Sequence, residues 1–162
     1  MICRKARLRP PTFTFSFLMT YVVDTNIFNK LVDETITFDD LPSNGQFIAT
    51  HIQIDEINNT KNSERRALLF LMFAELRPKI VPTESFVWDV SRWDCGKWGD
   101  GVLFEILKQD LDSRNHTKSN NAQDVLIAEV AIVNDFTLIT SDRHLAQVVE
   151  NQGGKVIFFK PT

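Results

Sequence analysis

Hydrophobic residues in this chain fall into short runs separated by longer amphipathic stretches, the rhythm of strands alternating with helices. Tyr21-Val22-Val23 is a brief apolar run ending in Asp24-Thr25-Asn26, after which Ile27, Phe28 and Leu31 recur at helical spacing. Phe47 to Ile57 is a strand-like run that leads into a polar, helical segment. Asp39 to Gly45, before it, is a turn-rich loop. Ser63 to Arg77 reads as a helix, with Asn62 or Ser63 as cap, dense apolar content from Ala67 to Leu76 and Pro78 just beyond. Its apolar residues nearly encircle it, which favours burial under a sheet over a face shared with a partner chain.

Further on, Lys79 to Val81 is expected to be a short strand, and Thr83 to Asp94 and Gly101 to Asp110 are expected to be helices split at the glycines around Trp98. Asn120 or Asn121 can cap a helix whose stripe of Leu126, Ile127, Val130, Ala131 and Val133 needs cover. Phe136 to Thr140 is short, apolar and β-branched, as in a buried parallel strand. Gln147 to Asn151 completes a last helix, Gly153-Gly154 ends it, and Lys155 to Phe159 is the closing strand. The alternation predicts an α/β fold.

At 162 residues and 43% hydrophobic content, the chain suits one domain with a real core. The net charge of −3 does not announce a nucleic-acid binder. Arg4, Lys5, Arg7 and Arg9 stand in the first eighteen residues without an acid, so the rest is more acidic still. That basic start ahead of Phe13 to Val23 imitates a signal peptide, but Pro10-Pro11 interrupts it and no small-residue cleavage site follows. The apolar run is shorter than the roughly 20 residues a membrane span takes. Thr12 to Phe17 alternates as an edge strand would. Met19 is nonetheless an ordinary beginning for the domain, so residues 1–18 are expected to be a dispensable extension of a single domain, 19–162. Cys3 and Cys95 make no metal-ligand spacing, and a reduced cytoplasm is the simplest home.

Four carboxylates, Asp24, Glu56, Asp124 and Asp142, fall at element ends in this alternating chain. In open α/β sheets, ligands bind at the carboxyl ends of the strands. Taken singly, Asp24 can merely cap a helix and Asp124 can merely complement a helix dipole. Such roles explain four ends but not their convergence. Asp55 lies beside Glu56 and leaves the choice between the two open.

The segments Val22-Val23-Asp24-Thr25-Asn26, Ile54-Asp55-Glu56-Ile57, Asp124-Val125-Leu126-Ile127-Ala128 and Leu138-Ile139-Thr140-Ser141-Asp142 resemble, in order, the four acidic motifs of PIN-domain ribonucleases. The resemblance runs from about Tyr21 to the C-terminus and is strongest to the VapC-like toxins of toxin–antitoxin pairs. It implies a three-layer α/β/α sandwich with a central, mostly parallel sheet of four or five strands. It also implies metal-assisted hydrolysis of RNA, with one or two Mg²⁺ or Mn²⁺ ions, an antitoxin partner and a homodimer. Asp24 and Asp142 would be the principal metal ligands. Asp124 would bind directly or through water, and Glu56 would hold metal-bound water or a second ion. Asn26 and Ser141 are neutral hydrogen-bonders suited to steadying a carboxylate, a water or a phosphate oxygen.

The acids are hard oxygen ligands of the kind Mg²⁺ prefers, and no His or Cys cluster suggests zinc. Arg114, His116 and Lys118, in a polar stretch leading to Asp124, and Arg143, next to Asp142, can reach an RNA backbone; a solvated surface is the plainer role. Trp88, Trp93 and Trp98 can stack on bases, though core or interface filling is commoner. His144 belongs to the last helix, with an exposed structural role favoured. Two other classes stay open: a PIN-like domain that only binds RNA or protein, and a receiver-type phosphoacceptor domain. The latter needs a lysine at a late strand end, where this chain has Thr140-Ser141-Asp142.

Overall fold

The computed structural model describes residues 18–116 and 118–160. Except for Leu18, the expected N-terminal extension and its alternating stretch lie outside these residues. The described chain runs β1 (Met19–Val23), α1 (Thr25–Val32), β2 (Gly45–Ala49), α2 (His51–Asn58), α3 (Ser63–Leu76), β3 (Lys79–Ile80), α4 (Val102–Asn115), α5 (Asn121–Val133), β4 (Thr137–Thr140), α6 (Arg143–Asn151) and β5 (Lys155–Phe158). The five strands form one sheet in the order β3-β2-β1-β4-β5, with every pairing parallel. The expected α/β sandwich is therefore present, and its sheet is wholly parallel.

Pleating sends successive side chains of β1 to opposite faces and builds two cores from three residues. Val22 joins Ile48 and Leu138 under α4, α5 and α6, whose Leu107, Leu126, Val130 and Val148 are buried. Tyr21 and Val23 join Ile139 under α1 and α3, with Phe28, Ile57 and Leu69. Helices thus cover both faces. At the rim, Gly45 pairs with Met19, and a Cβ there would lie 2.4 Å from the Met19 carbonyl oxygen, so β2 enters the sheet through a position only glycine fills.

Three expectations are corrected. Residues 83–94 are not helical. They form turns, joined by a bridge between Thr83 and Gly96, with Asp89 and Asp94 at positive φ. Tertiary bonds hold this path: the Ser85 hydroxyl donates to buried Glu129 at 2.8 Å, and the Arg92 N–H donates to Nε2 of His51 at 3.3 Å. Helix α3 is not encircled by core: Leu69 and Leu76 are buried, but Leu71 is 59% exposed and Leu68 is exposed beside it. The tryptophans do not fill the core either. Trp88, Trp93 and Trp98 are 68%, 69% and 75% exposed around the ring of Phe86.

Candidate active site

Because all strands run the same way, their carboxyl ends share one edge, and the helices that follow start there. Asp24 follows β1, Glu56 lies on α2 after β2, Asp124 is in the first turn of α5, and Asp142 follows β4. All four line one cavity of about 330 Å³, together with Thr25, Asn26, Asn29, Thr60 and Asn120. Asp55 points elsewhere. It pairs with Arg92, and of the two neighbouring acids Glu56 is the one that lines this cavity.

A network of neutral side chains fixes the acids. The Thr140 hydroxyl, fully buried, donates to Asp24 Oδ2 at 2.6 Å and accepts the Asp142 N–H at 2.9 Å, so one hydroxyl links the ends of β1 and β4. Asn26 donates from Nδ2 to Asp24 and accepts the Ser141 N–H at 3.0 Å through Oδ1. Ser141 therefore contributes its backbone to this network. The Thr25 hydroxyl donates to Glu56. Helix α2 is itself anchored by Gln53, fully buried, whose Nε2 donates to the Val23 carbonyl at 2.8 Å. Asn121 ties the entry of α5 to α4 through reciprocal amide bonds with Asn115 at 2.7 and 2.8 Å. Asn120, at the N-cap position, directs its side-chain N–H to Asp124 at 3.3 Å.

Burial and mutual repulsion set the charge. Burial pushes the Asp24 carboxyl up to about 7 against the lowering pull of the Thr140 hydroxyl, and the charges of Glu56 and Asp142 add to the rise. Burial raises Asp124 further, to about 8, with Asp24, Glu56 and Asp142 contributing and Lys118 opposing. Glu56 is raised by burial, opposed by its bond from Thr25. Asp142 also caps α6: its Oδ1 accepts the N–H groups of His144 at 2.7 Å and Leu145 at 3.1 Å. For Asp142, a capping role thus coexists with a place in the cavity wall.

The proposed RNA contacts divide. Lys118 is close enough to Asp124 to act on its charge. Arg114 belongs to α4 rather than to a loop, where it pairs with Asp110 at 2.7 Å and reaches Gln147. Arg143 opens α6 and lines a separate surface depression with Glu150 and Phe158. His116 is the left-handed C-cap of α4. His144 is half-buried rather than exposed. None of Arg114, His116, Lys118 and Arg143 lines the acidic cavity. Thr140, Gln53 and Thr25 were missed by sequence reasoning. Thr140 and Thr25 stand inside the motif segments, which is the available signal; Gln53 carries none.

Among the described residues, no three His, Cys, Asp or Glu side chains form a ready-made metal clasp; the acids border the cavity instead.

The arrangement is a PIN-like α/β/α fold with an acidic cavity at the carboxyl edge of its sheet. No protein-family model and no curated protein matches the chain. Among solved structures, it is similar to a chain in the VapBC2 structure from Rickettsia felis, determined bound to a DNA fragment from its promoter: 19% identity, TM-score 0.56, covering 86% of this chain and 98% of that one. It is also similar to a domain of a functionally unknown protein from Methanocaldococcus jannaschii, at 17% identity and TM-score 0.50, covering 89% and 93%. At such identities the likeness is one of fold.

Proposed function

We propose that this chain is a metal-dependent endoribonuclease and the toxin of a toxin–antitoxin pair. The observation that carries the reading is the convergence of Asp24, Glu56, Asp124 and Asp142 on one cavity at the sheet edge. The donor set fits Mg²⁺ or Mn²⁺: it is all oxygen, and burying these acids without a cation pushes Asp24 and Asp124 toward neutrality. The absence of a three-residue clasp is compatible with Mg²⁺, which keeps several waters and shares its shell with substrate phosphate. Asp24 and Asp142 would hold an ion most directly, Asp124 directly or through water, and Glu56 through water or at a second ion.

When bound, one or two such ions would activate a water and offset the negative charge of the reacting phosphodiester. The chain's part is to orient them. Asn26 and the Thr140 hydroxyl hold Asp24 in one rotamer, and Thr25 does the same for Glu56. Asn120 steadies Asp124. Lys118 brings a positive charge near Asp124, where it would meet an RNA phosphate. The receiver-type alternative needs a lysine at a late strand end facing the acids; β4 ends in Thr140 with Ser141-Asp142 following, and Lys160, just after β5, does not line the acidic cavity.

The test is RNA cleavage with Mn²⁺ or Mg²⁺ and again in excess EDTA. Cleavage is expected only with the metal, and undiminished cleavage in EDTA would sink the mechanism. Growth arrest on expressing the chain alone in a bacterial host, relieved by an antitoxin, is the expected toxin phenotype; unimpaired growth by a chain active on RNA counts against that half.

The exposed Leu68 and Leu71 on α3 favour a homodimer through that helix. Light scattering at micromolar concentration should then give twice the mass of one chain, and Leu71→Glu should return it to a monomer. A monomeric parent contradicts the dimer.

A further inference from the structure

A second cavity, of about 270 Å³, opens next to the acidic one and shares Glu56 as a wall. Its other walls come from α2, from the turn segment after β3 and from the first turn of α5. Ile52 and Val90 make it partly apolar, while Asn59 and Gln123 present carboxamides. Gln123 immediately precedes Asp124, and its Oε1 is buried without a hydrogen-bond partner among the described residues. Buried acceptors left alone are costly and are normally satisfied, so the Gln123 carboxamide, which forms part of the cavity wall, gains a partner by turning this oxygen toward a donor on a ligand.

The cavity does not suit a phosphate. Asp55, Glu56 and Asp89 line it, and Arg92, its one cation among the described residues, is already paired with Asp55. What fits is flat, uncharged and rich in hydrogen-bond donors. The walls are also preformed, because Arg92 is fixed at its backbone by His51 and at its guanidinium by Asp55.

We infer that this cavity receives the nucleobase flanking the scissile phosphate of a single-stranded RNA, and that Gln123 reads it. The inference rests on the ribonuclease reading and adds a specificity-determining residue to it. A base with an exocyclic amino group donates to the Gln123 carbonyl oxygen and to the wall carboxylates; uracil offers only its N3–H, flanked by two carbonyl oxygens that those carboxylates repel. A site built around one hydrogen-bonding group discriminates strongly against the analogue that lacks it.

The experiment digests a random-sequence RNA pool with Mn²⁺ and sequences the new ends, for the parent and for Gln123→Leu. The parent should disfavour uridine at one position beside the cleaved bond. Gln123→Leu should weaken that bias about tenfold while its melting temperature stays near the parent's. Asn59→Leu, on the opposite wall, gives a second reading of the same position should Gln123→Leu fail to fold or lose all cleavage. A parent with no bias or a preference for uridine overturns the inference. So does a bias that persists in the folded variants, or complete loss of cleavage in both variants with the fold intact. A parent that leaves RNA uncut with Mn²⁺ present removes the ribonuclease reading, and the inference falls with it.

Discussion

Asp142→Asn should reduce RNA cleavage by at least about a hundredfold while leaving the domain folded, the scale on which losing one charge-stabilising group at a reacting centre is felt. The prediction is sharp because Asp142 has two roles that this substitution separates. Its Oδ1 accepts the N–H groups of His144 and Leu145, and an asparagine carbonyl oxygen can accept them as well. The cap survives. The charge does not, and it is the charge that an ion in the cavity would need. Asp142 also raises the carboxyls of Asp24 and Asp124 by repulsion, so removing its charge should leave the metal-free melting temperature unchanged or higher. RNA cleavage and metal-free thermal melts, measured beside the parent, decide the matter. Near-parental cleavage takes Asp142 out of the reaction, and a large fall in melting temperature assigns it to structure.

The second large effect is a loss of metal-free stability as pH rises. Asp24 and Asp124 are held at about 7 and about 8 in the folded chain, above the ordinary carboxyl value near 3.8. Folding therefore favours their protonated forms. Their contribution is fully present below pH ~4, where folded and unfolded chains are both protonated. It is lost progressively as pH rises from there through about 7 and 8, and above that range it is gone. Thermal melts in EDTA should consequently fall by several degrees between pH 5.5 and pH 8.5. Mn²⁺ should restore most of the loss at pH 8.5, since a cation that binds only the folded carboxylates stabilises that state. A metal-free melting temperature that rises over this interval contradicts the assignment of these two acids as the buried, repelling pair.

Much of this is legible in the sequence. Short β-branched runs mark β1 and β4, and helical spacing marks α1 and α5; the strand-like run 47–57 conceals α2, which begins at His51 and carries Glu56. What the pattern could not supply lies where distant residues decide the path. The segment 83–94 has enough apolar residues to pass for a helix, but its turns are held by His51 and Glu129, residues far away in sequence. That Glu56 rather than Asp55 lines the acidic cavity likewise goes with a distant partner, Arg92, which holds Asp55 from thirty-seven positions away. The apolar girdle of α3 reads as burial because sequence shows how much of a helix is apolar, not how many neighbours exist to cover it. In the fold, its packing is against α1 and the second core, which leaves Leu68 and Leu71 outside.

The order of strands carries a last consequence. β1 and β4 are adjacent in the interior of the sheet, flanked by β2 and β5, and they bear Asp24 and Asp142 at their ends, joined by the Thr140 hydroxyl. Interior strands are the part of a domain that opens last, in the same cooperative event as global unfolding, whereas rims and surface turns fray at little cost. Among the described residues, the site is thus mounted on interior strands, whose backbone is expected to exchange slowly. Local breathing at β3, or among the turns after it, can change which molecules reach the cavity while Asp24 and Asp142 stay in register with each other.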